Sequence, residues 1–230
     1  PGASRQMSIA SARQPRGALL SRAWQRCHPR LSSHPAPRSG AAPDAAPDVM
    51  PGAKPRSASG APDKTSPAIV RSVSDLRAAV AGFHHDGHRV ALVPTMGALH
   101  SGHMALVAAA GEAAARTVVS IFINPIQFAP TEDLAAYPRN DEEDLRKLSD
   151  AGVDLVFMPT AGEMYTAGFG TTVNVAGPGV GLESAARPQF FTGVATVVCK
   201  LLLQCLPDIT VFGEKDYQQL QVVRRMVRDL

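Results

Sequence analysis

Between residues 67 and 230 the chain alternates two kinds of apolar pattern. One is short and continuous: "RVALVP", "TVVSIFI", "VDLVFMP" and "ITVFG" put apolar side chains at successive positions. A strand that is apolar on both faces is buried on both sides. The other pattern repeats at helical spacing. "SVSDLRAAVAGFHHDG" carries Leu76, Val80 and Phe83, with a Ser or Asp cap near Ser74 and Gly87 as its stop. "MALVAAAGEAAA" predicts a second helix. "DEEDLRKLSDAG" predicts a third, with acids in its first turn to suit the helix dipole and a glycine at its end. After "TTVNVA" come the long apolar helix "FFTGVATVVCKLLLQCL" and, beyond the last strand, a helix around "YQQLQVVRRMV". Doubly apolar strands separated by helices predict a parallel sheet with helices on both faces, a Rossmann-like α/β domain over residues 67–230.

Residues 1–66 lack this pattern. They are dense in Pro, Ala, Ser, Gly and Arg, and cannot bury enough apolar surface to offset the entropy of ordering. The segment is expected to be disordered, or an extension outside the fold, with Met50 an alternative start. Its Arg- and Ser-rich, acid-poor opening also resembles a transit peptide, although its prolines spoil an amphipathic helix.

Charge changes the picture little. The net charge of +3 and pI near 9.0 suggest a nucleic-acid partner at first sight. Yet Arg5, Arg13, Arg16, Arg22, Arg26, Arg30 and Arg38 all lie between Pro1 and Pro43, a stretch with no acid, and the rest is slightly acidic. No nucleic-acid partner is therefore expected. No apolar run approaches the roughly 18 to 20 residues of a membrane span, so no membrane is expected either. Cys27, Cys199 and Cys205 have neither disulfide-scaffold nor zinc spacing, and the last two read as buried thiols in an apolar helix. Together these features predict a soluble protein of a reducing compartment, the cytoplasm.

Three polar clusters interrupt the apolar pattern: "TMGALHSGH", "NPIQF" and "GEKDYQQ". Each follows a predicted strand, where open parallel sheets place their ligands. A P-loop is absent, and "GPGVGLE" lacks the third glycine of a dinucleotide fingerprint at the needed spacing. In "HSGH", His100 and His103 stand three residues apart at a helix start, so both imidazoles can face one side of the first turn. Free N–H groups at that terminus attract an anion, and Gly102 lets a phosphate or base approach the backbone. Two imidazole donors would stabilise charge on a phosphate during displacement. A surface cap with incidental histidines and a metal pair are the competing readings; the motif holds no third metal ligand. Lys215 suits phosphate charge, and Asp216 suits Mg²⁺ or a ribose hydroxyl. Gln127 and Gln219 suit a small acid bearing hydroxyl groups. Taken together, these groups point to activation of a carboxylic acid by ATP.

In this order "PTMGALHSGH", "FINPIQFAPTEDLAAYPR" and "FGEKDYQQL" resemble the pantothenate synthetase family, ATP-dependent ligases that join pantoate to β-alanine. The resemblance implies attack of pantoate on ATP to give pantoyl-adenylate and pyrophosphate, then attack of β-alanine to give pantothenate and AMP. It also implies that Met96, Gly97, Ala98, Leu99, His100, Ser101, Gly102 and His103 line the ATP site. His103 matches the proton donor and His100 the stabiliser of the phosphate transition state. Gly213, Glu214, Lys215 and Asp216 match a second ATP-binding segment, with Lys215 on the phosphates. Gln127 and Gln219 match the pantoate contacts, with Gln127 also near β-alanine. Asn124, Tyr137 and Asp144 fall on active-site positions, Asp144 as a possible Mg²⁺ contact.

The family forms homodimers. It usually shows R-P-x-H-F where this chain has "RPQFF", so Phe190 replaces a histidine near the pantoate pocket. It also continues into a smaller C-terminal domain with a Ser-Ser-Arg-Asn-like loop, and the chain accordingly reads as a fragment. Another H-x-G-H nucleotidyltransferase, such as a cytidylyltransferase, leaves Gln127 and Gln219 without a role. A non-catalytic domain binding nucleotide and pantoate is the remaining alternative.

Overall fold

The computed structural model describes residues 8–10, 66–128, 137–179, 181 and 189–230. Most of the segment read as an extension, Cys27, residues 129–136 of the second motif and residues 182–188 around "RPQFF" lie outside these described residues.

The elements follow the predicted alternation. Strand β1 (Ser8–Ala10) and strand β2 (Ala68–Val70) precede helix α1 (Val73–His85), strand β3 (Val90–Thr95) and helix α2 (Ser101–Ala113). Strand β4 (Arg116–Ile121), a 3₁₀ turn (Pro125–Gln127), helix α3 (Asp141–Asp150), strand β5 (Leu155–Phe157) and the single-turn helix α4 (Ala161–Met164) come next. The described residues close with helix α5 (Phe190–Cys205), strand β6 (Ile209–Phe212), a second 3₁₀ turn (Glu214–Asp216) and helix α6 (Tyr217–Asp229).

The sheet runs β1-β6-β3-β4-β5-β2. All pairings from β6 to β2 are parallel, and β1 joins the β6 edge antiparallel. Three features escaped the sequence pattern. β2 is only three residues long and sits on an edge, and β1 falls inside the segment read as unfolded. "TTVNVA" forms no regular element and is tied by the Val173 N–H to Thr196 Oγ1 of α5 at 2.9 Å.

Consecutive strand residues feed opposite faces, as the pleat demands. Val90, Leu92, Val118, Leu155 and Phe157 join α1, α5 and α6 in one core. Ala91, Val93, Val119, Val156 and Val211 join α2 and α3 in the other. The helices therefore cover both faces as predicted. Cys205 is buried, and burial pushes its thiol up to about 12; Cys199 is half-buried and also raised.

Two helix starts differ from expectation. Ser72, not Ser74, caps α1 by accepting the Asp75 N–H at 3.1 Å, because Val73 is already helical. α2 begins at Ser101, three residues before the apolar pattern, because its cap is a histidine.

After β5 the chain returns to the far side of β3 to form β6, so the order in which strands are added reverses between β3 and β6. That is the switch point at which such sheets bind ligands. The three polar clusters leave the carboxyl ends of β6, β3 and β4, three adjacent strands.

Candidate active site

The turn after β3 is built on unusual backbone. Gly97 has φ +85° and Ala98 has φ +51°, two successive residues in the left-handed region. Glycine enters it freely, whereas alanine does so at a cost of about 1 kcal/mol. A Cβ at Gly97 would meet Asp144 Oδ2 and Ile121 Cγ2 at 3.3 Å each. Thr95 Oγ1 accepts the Gly97 N–H at 3.3 Å while donating to the Ser120 carbonyl at 2.8 Å. Beyond Ala98, Leu99 is buried, and α3 grips both of its peptide groups. Its N–H donates to Asp144 Oδ1 at 2.7 Å, and its carbonyl accepts from Lys147 Nζ at 2.7 Å. Such over-determination is what keeps a strained turn in place.

The grip delivers His100 to the helix start. His100 is the N-cap of α2, and its Nδ1 accepts the Gly102 N–H at 3.0 Å. His103 reaches back, its Nδ1 accepting the His100 N–H at 3.4 Å. The two rings lie 4.1 Å apart between centroids. An Nδ1 that accepts carries no proton, so each neutral ring holds its proton on Nε2. The pair thus offers two Nε2–H donors at a helix N-terminus. A Cβ on Gly102 would sit 2.9 Å from His100 Cε1, which explains the glycine between the histidines. Ser101 is exposed beside it.

His103 is half-buried and its pKa is lowered, first by burial, then by His100, with Lys215 adding to the effect and Asp144 and Asp216 opposing it. The turn after β6 therefore stands within electrostatic reach of the histidine turn. Gly213 opens that turn, its Cα side facing Leu106 of α2, while Glu214, Lys215 and Asp216 are exposed. Asp144 also raises the Tyr137 pKa, after burial, and Tyr137 lies edge-on to Phe128 at 5.9 Å.

On the β4 side, Asn124 is buried and lies at the centre of a network. Tyr165 donates to Asn124 Oδ1 at 2.7 Å; Asn124 Nδ2 donates to Gln127 Oε1 and to the Gly193 carbonyl, both at 3.1 Å. Gln127 Nε2 points at Met96 Sδ, 2.8 Å away, which joins this network to the histidine turn. Gln219 is half-buried in the first turn of α6; among the described residues no hydrogen bond links it to the other site residues.

No group of three or more His, Cys, Asp or Glu residues able to hold a metal occurs among the described residues. The histidines face each other as cap partners. Among the described residues Asp144 is the one acid with a buried oxygen that has no partner, its Oδ2. Sequence reading missed Lys147, Tyr165 and Gly193. Lys147 looks like a surface partner of Glu143, with which it does pair at 2.8 Å. Tyr165 and Gly193 act only through three-dimensional contacts.

A parallel sheet with a histidine-capped helix at its switch point has the Rossmann-like fold of the H-x-G-H nucleotidyltransferase type. The family model for pantoate-beta-alanine ligase matches residues 68–230, and the chain belongs to that family. It is 60% identical over 164 residues to the pantothenate synthetase of Mesorhizobium japonicum, covering 71% of this chain and 58% of that protein. The pantothenate synthetase of Caulobacter vibrioides is 58% identical over 166 residues, with 72% and 58% covered. Among solved structures, the Thermus thermophilus enzyme superposes with a TM-score of 0.66 at 52% identity, covering 70% of this chain and 57% of that one. The Francisella tularensis pantoate-beta-alanine ligase, in complex with beta-gamma ATP and beta-alanine, gives a TM-score of 0.68 at 33% identity, covering 71% and 62%. The chain thus spans less than two thirds of the length of these relatives.

Proposed function

We propose that this domain binds ATP and pantoate and carries out the first half of an acid–amino-acid ligation that makes pantothenate. The observation that carries the reading is the pair of Nδ1-capped histidines. They present two Nε2–H donors within electrostatic reach of Lys215 and close to the Asn124–Gln127 amide network. The Francisella relative's complex with an ATP species and β-alanine supports the same substrates.

A pantoate carboxylate oxygen attacks the α-phosphorus of ATP, and the bond to the bridging oxygen breaks as pyrophosphate leaves. The carboxylate has no proton to lose and pyrophosphate departs as an anion, so no acid is required. His100 and His103 then act as hydrogen-bond donors to phosphate oxygens as charge builds, and Lys215 neutralises part of it. Gln127 and Gln219 hold the acid, with Asn124 behind Gln127. In the second half, the β-alanine amine attacks the acyl carbon, loses a proton and expels AMP. Mg²⁺ ordinarily binds through one or two carboxylates plus substrate phosphates. The unpartnered Asp144 oxygen fits one such ligand position, and Mg²⁺ would there neutralise phosphate charge.

We also propose a homodimer, on the family resemblance alone, and a cytoplasmic location, on composition and cysteine usage; light scattering of the purified chain checks the mass. The function is tested by incubating the chain with ATP, Mg²⁺ and pantoate, with and without β-alanine, and following pantoyl-adenylate, pantothenate and AMP by mass spectrometry. Pantoyl-adenylate that forms only with both ATP and pantoate supports the reading. AMP formation that ignores pantoate contradicts it.

A further inference from the structure

The network around Asn124 has a direction that can be read from one backbone atom. Asn124 is 1% exposed, and its amide lies against the Gly193 carbonyl oxygen at 3.1 Å. A carbonyl only accepts, so the atom facing it is the amide nitrogen. The other amide atom, Oδ1, must then face Tyr165, whose hydroxyl donates at 2.7 Å. The second N–H of Asn124 goes to Gln127 Oε1 at 3.1 Å. That bond occupies the only acceptor atom of the Gln127 amide and turns Nε2 outward, to Met96 Sδ. Thioether sulfur is a weak acceptor, so a ligand oxygen in its place makes the better bond.

We infer that Tyr165 is a positioning residue: through Asn124 it holds Gln127 as a donor toward the bound acid, so that this pocket selects a hydrogen-bond acceptor. The ligand group it favours is a carboxylate or hydroxyl oxygen. The inference rests on the reading of Gln127 as a contact to the acid.

Both ends of the relay are fixed. A Cβ at Gly193 would lie 2.6 Å from the Ile126 carbonyl oxygen and 2.8 Å from Gln127 Cα, so α5 meets the 3₁₀ turn backbone to backbone and the carbonyl anchor has no room to shift. The Tyr165 ring packs against Phe169 at 4.9 Å and Phe122 at 6.2 Å, with the Lys200 ammonium 5.8 Å from its centroid. Burial also raises the Tyr165 pKa, which keeps the hydroxyl protonated and donating.

Tyr165→Phe keeps the ring and removes the donor. Calorimetry should show pantoate affinity reduced about tenfold, the size of one buried hydrogen bond, with ATP affinity unchanged. In ¹⁵N spectra, the Gln127 side-chain NH₂ signals should shift and exchange faster with solvent. Unchanged pantoate affinity overturns the inference, as does an equal loss for ATP, which would mean a general loosening. If the unsubstituted chain binds no pantoate, the functional reading fails on its own. The NH₂ signals then decide the relay, and signals left unmoved by Tyr165→Phe overturn it.

Discussion

Lys147 donates to the carbonyl of Leu99 at 2.7 Å, closing a turn whose preceding residue, Ala98, has φ +51°. A helix on one face of the sheet thereby sets the backbone that aims two histidines from its edge. Lys147→Met should destabilise the fold by about 1.5 kcal/mol, since the lost bond has a charged donor that is only partly exposed. Urea unfolding gives the number. ATP affinity should fall as well, because the turn is free to relax toward negative φ.

Gly102→Ala separates stability from function. A helical alanine is favoured over glycine by up to about 1 kcal/mol. The new Cβ, however, would stand 2.9 Å from His100 Cε1 and push the imidazole off its cap, a loss of about the same size. Unfolding should change little, while the adenylation rate drops. An unchanged rate at unchanged stability would show that the His100 cap geometry is irrelevant to the chemistry.

Acid should weaken the fold through His103. Its pKa in the folded chain lies below the ordinary 6.5, chiefly because of burial. The unfolded chain therefore binds more protons in the window beneath that value. The stability this residue contributes is full above pH 6.5 and declines as pH falls toward the folded value, levelling off below it. Protonated Nδ1 also cannot accept the His100 N–H. His103→Gln should flatten this part of the stability profile, measured by urea midpoints from about pH 8 to about pH 5.

Much of this was legible in the chain. Doubly apolar strands gave the sheet and its two covered faces, and three polar clusters marked its rim. What stayed hidden depends on partners far apart in sequence. Nothing in "DEEDLRKL" says that Asp144 and Lys147 face inward to hold Leu99, since the same spacing suits exposed ion pairs such as Arg146 with Asp150. A cap at the histidines was one reading of the sequence, but the reciprocal bonding of His100 and His103 was hidden, because the apolar pattern of α2 starts only at Met104. β1 and β2 are too short for any periodicity to declare them.

Gly193→Ala should be among the most damaging single-atom changes. Its Cβ would meet the Ile126 carbonyl oxygen and the Gln127 backbone at 2.6 to 2.9 Å, and backbone cannot swing aside. Overpacking of this kind costs about 1 to 3 kcal/mol. The thermal midpoint should fall, and pantoate binding should be lost before ATP binding.

His103→Ala removes one of the two donors aimed at the phosphates. The adenylation rate should fall about 10²-fold or more, with the fold intact by circular dichroism. Normal turnover in this variant would leave the helix cap as the only role for His103.

The central claim is that the histidine turn and the Asn124–Gln127 pocket form one site for transferring an adenylyl group to pantoate. The most direct measurement is pyrophosphate release by this chain from ATP and Mg²⁺, with pantoate present or absent and β-alanine withheld. The account predicts release that requires pantoate and stops near one equivalent per chain as pantoyl-adenylate stays bound. Release that is indifferent to pantoate, or none while both ligands are bound, would contradict it.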